Sequence, residues 1–145
     1  MRSIVIWDGM DMLTFLDSNV LISAATGRGK HFSKARSILA DRTRTFASSP
    51  FVRLETVPKA VFHKQNQEIV FYDAFFSSVS QWVVDCNALA AEAEKVGSRF
   101  GLSMGDALHV AAALMVGADE FVTAERPTSP FKNVQGVTII SIYTP

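Results

Sequence analysis

Cysteine is nearly absent from this 145-residue chain: Cys86 stands alone, so no internal disulfide and no thiolate metal cage can form, and a reducing, cytoplasmic location is expected. Charge of one sign is not in excess either. Fourteen Lys and Arg balance 14 Asp and Glu, which removes the simplest argument for a polyanionic partner and makes any such partner a matter of local charge. Long hydrophobic runs are missing. Stretches such as Ala88 to Ala91 and Val110 to Val116 fall far short of the ~20 residues that span a bilayer, so no membrane segment is expected. Ile4 to Trp7 is too short for a signal-peptide core of ~7–15 residues. Residues 1–11 read as an extension, with Met12 an alternative start, ahead of a single domain over 12–145.

What is present is an alternation of short apolar runs and helical patterns. Leu13, Phe15 and Leu16 form a strand that ends at Asp17, and a helix follows from Val20 with Asp17 or Ser18 as its cap. Residues 31–41 repeat apolar side chains at helical spacing, and Arg44 to Ala47 read as the second strand. Ser49 and Pro50 open a third helix, which Pro58 should kink or divide near Thr56. Residues 67–79 predict a helix burying Ile69, Val70, Ala74, Phe75 and Phe76, and Gln81 to Asp85 a third strand. Leu89, Ala93, Val96 and Phe100 define a helix stopped by Gly101, and Ser103 caps the next, which runs to Gly117. Phe121 to Thr123 and Val137 to Ile142 complete the strands. The expected fold is α/β, a mainly parallel sheet of four to five strands flanked by helices. Ligands of such sheets bind outside the carboxyl ends of the strands, which brings Asp17, Asp85 and Glu125 into consideration.

Acids in apolar surroundings carry the chemical signal. Asp17 alone reads as a helix cap, Asp106 as half of a capping box with Ser103, and Glu55 as a solvated acid among Leu54 and Val57. Together, several acids near strand ends would repel one another unless a cation neutralised them. Oxygen-only ligands favour Mg²⁺ or Mn²⁺ over Zn²⁺, and such ions activate water for phosphodiester hydrolysis.

The segments Leu16-Asp17-Ser18-Asn19-Val20-Leu21-Ile22 and Gly105-Asp106-Ala107-Leu108-His109-Val110-Ala111-Ala112-Ala113, with Glu55 on the third helix between them, resemble the signatures of the PIN-domain ribonucleases. Among these the small VapC-like toxins of prokaryotic toxin–antitoxin pairs are the nearest in pattern. The resemblance covers 12–145 and implies a PIN-like three-layer fold and a Mg²⁺- or Mn²⁺-dependent endoribonuclease. It further implies metal ligation by Asp17, Glu55, Asp106 and Glu125, an antitoxin protein as partner, and a homodimer. The family usually reads Thr-Asn-Asp after the fourth strand. Here Thr123 fits, Ala124 replaces the Asn, and Glu125 stands where Asp is common, which leaves one or two metals open.

Around these acids, Ser18, Asn19 and Thr123 can support a metal-bound water or hold Asp17, with local helix capping the plainer role. His109, one turn beyond Asp106, reads as a structural helix residue, and nothing local activates Cys86 as a nucleophile. Arg28, Lys30, Lys34, Arg36, Arg42 and Arg44, with Asp41 the one acid among them, give a +5 segment against −5 elsewhere, fit to draw RNA or an antitoxin toward an acidic centre. The phenylalanines at 71, 75 and 76 suit a core or a dimer face. Two other readings stand beside the enzyme: a non-catalytic RNA- or protein-binding member of the same fold, and a receiver-type domain phosphorylated on Asp85. The second lacks the early acidic pair and the Lys it would need.

Overall fold

The computed structural model describes residues 11–145; the extension read over 1–11 therefore lies, Asp11 excepted, outside the described residues. In chain order the elements are β1 (Met12–Leu16), α1 (Ser18–Thr26), α2 (Phe32–Ala40), β2 (Arg44–Ser48), α3 (Pro50–Phe62), α4 (Asn66–Ser78), β3 (Gln81–Trp82), α5 (Cys86–Phe100), α6 (Met104–Met115), β4 (Glu120–Thr123), a short 3-10 turn (Pro130–Asn133) and β5 (Thr138–Ser141). The five strands form one sheet in the order β3-β2-β1-β4-β5, and every neighbouring pair is parallel. Parallel neighbours need long crossovers, which the helices supply.

β1 lies at the centre and buries Thr14, Phe15 and Leu16 completely or nearly so, as a strand covered on both faces should. Phe15 pairs with Ala47 on one side and with Phe121 on the other, and the Phe15 and Phe121 rings stack at 5.8 Å. A second aromatic cluster joins Phe46, Phe75, Phe76 and Trp82 through centroid separations of 5.3 to 5.7 Å. Phe75 and Phe76 therefore belong to this domain's own core.

The structure corrects three local expectations. The third strand is only Gln81–Trp82: Val84 is exposed, and Asp85 instead caps α5 by accepting the Ala88 amide at 3.0 Å. α3 runs undivided through Pro58. The amide that Pro58 lacks would have bonded the carbonyl of Leu54, so the helix forgoes that one bond at a residue that faces solvent. Finally, α4 turns Tyr72, Phe75 and Phe76 inward and leaves Val70 and Ala74 exposed, because positions two apart fall on different sides of a helix.

At the amino edge of the sheet, Glu120 is buried and neutralised. Its Oε2 accepts the Thr14 hydroxyl at 2.6 Å and the Arg44 Nε–H at 2.5 Å, while another Arg44 nitrogen reaches Asp41. Removing the cation would leave a carboxylate in the core with no counter-charge. Arg44→Ala is expected to lower stability by about 3 kcal/mol in chemical denaturation, and Arg44→Ala with Glu120→Gln to recover most of that loss.

Candidate active site

Parallel pairing carries the end of β1 alongside β4, where the Asp17 amide donates to the Val122 carbonyl at 2.9 Å. Asp17 then serves as the cap of α1. Its Oδ1 accepts the Ser18 amide at 2.8 Å, its Oδ2 accepts the Thr123 hydroxyl at 2.8 Å, and only 5% of the residue is exposed. The capping role and a chemical role are thus compatible, since both oxygens keep a lone pair beyond the one each uses.

Thr123 is the junction of this corner. Besides donating to Asp17, its oxygen accepts the Glu125 amide at 3.1 Å and Asn19 Nδ2 at 3.5 Å, and Asn19 Oδ1 takes the Ala124 amide at 3.0 Å. Ala124 therefore contributes through its backbone, although it stands where the family pattern has Asn.

Glu55 projects from α3 toward the same corner. The Ser18 hydroxyl and the His109 Nε2–H both donate to its Oε1, each at 2.5 Å. Its other oxygen lies beside Gly105, 3.6 Å from where a Cβ at 105 would stand, an ordinary van der Waals distance. His109 is 2% exposed, and its ring sits against Phe15 at 6.4 Å. Sequence reasoning read this histidine as structural; the structure makes it a holder of Glu55. The usable signal was its position three residues after Asp106, which puts both on one side of α6.

Asp106 opens α6 beside them. Ser103 makes no side-chain capping bond there, so the capping box expected with Asp106 does not form. Asp17, Ser18, Asn19, Ile22, Glu55, Asp106, His109 and Glu125 together line one open cavity of 380 Å³. All four acids expected to ligate metal reach it, and Asp85, at the cap of α5, does not. No Lys or Arg reaches it.

The electrostatics follow from that composition. Burial pushes the Asp17 carboxyl from 3.8 up to about 6, with the charge of Asp106 adding and His109, Thr123 and the Ser18 amide opposing. The His109 hydrogen bond holds Glu55 below the usual range against partial burial, with Ser18 assisting. The acids line a common space without converging on a point: among the described residues, no three His, Cys, Asp or Glu side chains are grouped so as to hold an ion.

The sequence profile of the PIN domain matches residues 14–134. The chain belongs to the PIN-domain family. Members of this family are typically nucleases. No curated protein sequence matches the chain. Among solved structures, this PIN domain is similar to a toxin–antitoxin complex from Klebsiella pneumoniae (TM-score 0.70, 22% identity, covering 90% of this chain and 98% of that one). It is similar also to VapBC2 from Rickettsia felis bound to a DNA fragment from the promoter (TM-score 0.65, 21% identity, 90% and 98% covered). A third is VapBC-1 from nontypeable Haemophilus influenzae (TM-score 0.63, 17% identity, 90% and 98% covered).

The basic residues expected to contact RNA or a partner separate into different settings. Arg28 lines a 410 Å³ groove that shares Ile22 and Glu55 with the carboxylate cavity and also contains Lys59 and His63. Lys30 and Lys34 are exposed before and on α2. Arg36 is structural: it donates to the Ala24 carbonyl at 2.8 Å and lies over Phe32 and Phe71. Arg44 is held by Glu120 at the opposite edge of the sheet, and Arg42 sits in the loop just before it. Parallel strands force this separation, because the loop entering β2 and the loop leaving β1 lie at opposite ends.

The raised Asp17 value has a signed consequence for stability. Asp17 holds its proton near 3.8 in the unfolded chain and near 6 in the folded protein, so the contribution of this one group to stability is greatest below about pH 4 and is lost as pH rises through 6. With a chelator present, Asp17→Asn is expected to stabilise the protein by about 2 kcal/mol at pH 8. The gain should shrink toward zero at pH 4, followed by denaturation at both values.

Proposed function

We propose that this PIN domain is a divalent-metal-dependent endoribonuclease that acts as the toxin of a toxin–antitoxin pair. The observation that carries the reading is the cavity at the carboxyl edge of the sheet, lined by Asp17, Glu55, Asp106 and Glu125 with no Lys or Arg among them. Hard oxygen donors and an unneutralised, buried Asp17 suit Mg²⁺ or Mn²⁺, which would relieve the repulsion that Asp106 imposes on it. Asp17, Glu55 and Asp106, which line a common space without converging on a point, would close on the ion to hold it, and Glu125, one methylene longer than the family's common Asp, would assist from the β4 side. When bound, the ion supplies activation of water and stabilisation of charge at phosphorus.

The chain's own residues do the positioning. The α1 amide of Ser18 and the Thr123 hydroxyl orient Asp17, so its free lone pairs are directed away from both donors. Ser18 and His109 fix one oxygen of Glu55 and leave the other available. Asn19 ties the loop after β4 to the first turn of α1 and so sets where Glu125 begins.

The solved neighbours named as toxin–antitoxin assemblies support an antitoxin partner. A homodimer is supported by Leu54, Val61 and Phe62 on α3 and Val70 on α4, apolar side chains that are 53% to 80% exposed. A cytoplasmic location accords with the single exposed thiol. No helix among the described residues is long and apolar enough to cross a membrane.

Incubation of the protein with single-stranded RNA and Mg²⁺ or Mn²⁺ should produce internal cuts that a chelator abolishes. Asp17→Asn and Asp106→Asn should each lower turnover by about 100-fold or more while the protein remains folded. Full activity in either variant would overturn the assignment. RNA binding with no turnover under any metal would instead identify a non-catalytic member of the family.

A further inference from the structure

The carboxylate cavity does not end at Glu125. That residue also lines a second pocket, of 310 Å³, together with His31, Ala124, Arg126, Ser129 and Tyr143, a volume at the lower end of ligand sites. Three separate stretches build it. His31 precedes α2, residues 124–129 follow β4, and Tyr143 follows β5.

Its chemistry is unlike that of the first cavity. The Arg126 guanidinium lies over the Tyr143 ring, 5.0 Å from the centroid, and the His31 ring stands 5.6 Å from the same ring at 41°. His31 Nδ1 accepts the Thr144 amide at 3.2 Å, which places the proton of the neutral ring on Nε2 and leaves that N–H to donate elsewhere. Among the described residues Arg126 has no ion-pair partner, and Ser129 Oγ, though buried, has no hydrogen-bond partner. A planar cation on an aromatic ring and a free imidazole donor beside it are groups that receive a base and its phosphate.

We propose that this pocket binds one nucleotide of a single-stranded RNA, next to the phosphodiester that enters the carboxylate cavity. The base stacks on the Arg126–Tyr143 platform, and Arg126 and His31 meet the sugar–phosphate. The proposal rests on the ribonuclease reading and adds to it a defined substrate contact on the β5 side of Glu125. A peptide occupant is disfavoured by the lining, in which Ala124 is the sole aliphatic residue.

The test is fluorescence anisotropy with a short, unstructured, labelled RNA, on the full chain carrying Asp106→Asn so that turnover is suppressed. Adding Tyr143→Ala should weaken binding about tenfold, as for one stacked base, while Tyr143→Phe should bind like the parent. Arg126→Gln should flatten the dependence of log affinity on log salt by about 0.7, one single-strand phosphate contact; as Arg126 is exposed, this variant carries the test if Tyr143→Ala fails to fold. A parent that binds RNA while Tyr143→Ala and Arg126→Gln bind equally well would overturn the pocket and leave the ribonuclease reading intact. A parent that binds no RNA, with no cleavage by the unmodified protein, would overturn both. Unchanged RNA affinity with lost binding to a protein partner would assign the pocket to that partner and reject the proposal.

Discussion

Everything at the carboxyl edge of this sheet depends on a carboxylate buried, among the described residues, with no Lys or Arg beside it. Asp17 is almost as inaccessible as Glu120, yet the two are treated in opposite ways. Glu120 has Arg44 permanently beside it. Asp17 has only neutral donors on its two oxygens, and burial and the acid Asp106 raise it further than His109 lowers it. One end of the sheet thus closes its charges internally, and the other leaves a deficit that an exchangeable cation can fill. Such a deficit costs stability in the ion's absence, a cost that structural scaffolds avoid and that binding sites tolerate.

The frame of the molecule was readable because its signals are local. Ser49 does cap α3 by accepting the Phe51 amide, with Pro50 in the first turn, and Gly101 does end α5 in the left-handed conformation. Strand lengths were less readable: Val83 and Val84 look like strand, but β3 is an edge strand with a partner only as far as Ser48. The four acids could be named from their sequence setting. Their common cavity depended on where α3 and α6 lean, which no short pattern encodes.

The larger misjudgements concern polar partners distant in sequence. Arg44 and Glu120 are 76 positions apart, and Glu55 and His109 are 54 apart. A basic run in the sequence looks like one surface, whereas α2 and the following loop carry it from one end of the sheet to the other. Conversely, His109 looked like one more residue of an apolar helix, and its value comes from α3 passing within hydrogen-bonding distance. Charge counted along a chain and charge distributed in space are different quantities, and the neutral total of this protein conceals a strongly divided interior.

One further consequence lies in the first helix. Asp17, Ser18 and Asn19 occupy consecutive positions at its start, and they grip β4, α3 and the loop after β4 respectively. Behind them Val20, Leu21 and Ala24 are wholly buried. At 1.5 Å per residue the nine-residue helix is roughly 13 Å long, so it acts as a lever whose far arm is the packing around Ala24 and whose near arm is the reacting corner. A misfit beneath the far arm would tilt all three grips at once. The precision of the site is therefore set partly by hydrocarbon contacts that never meet the substrate.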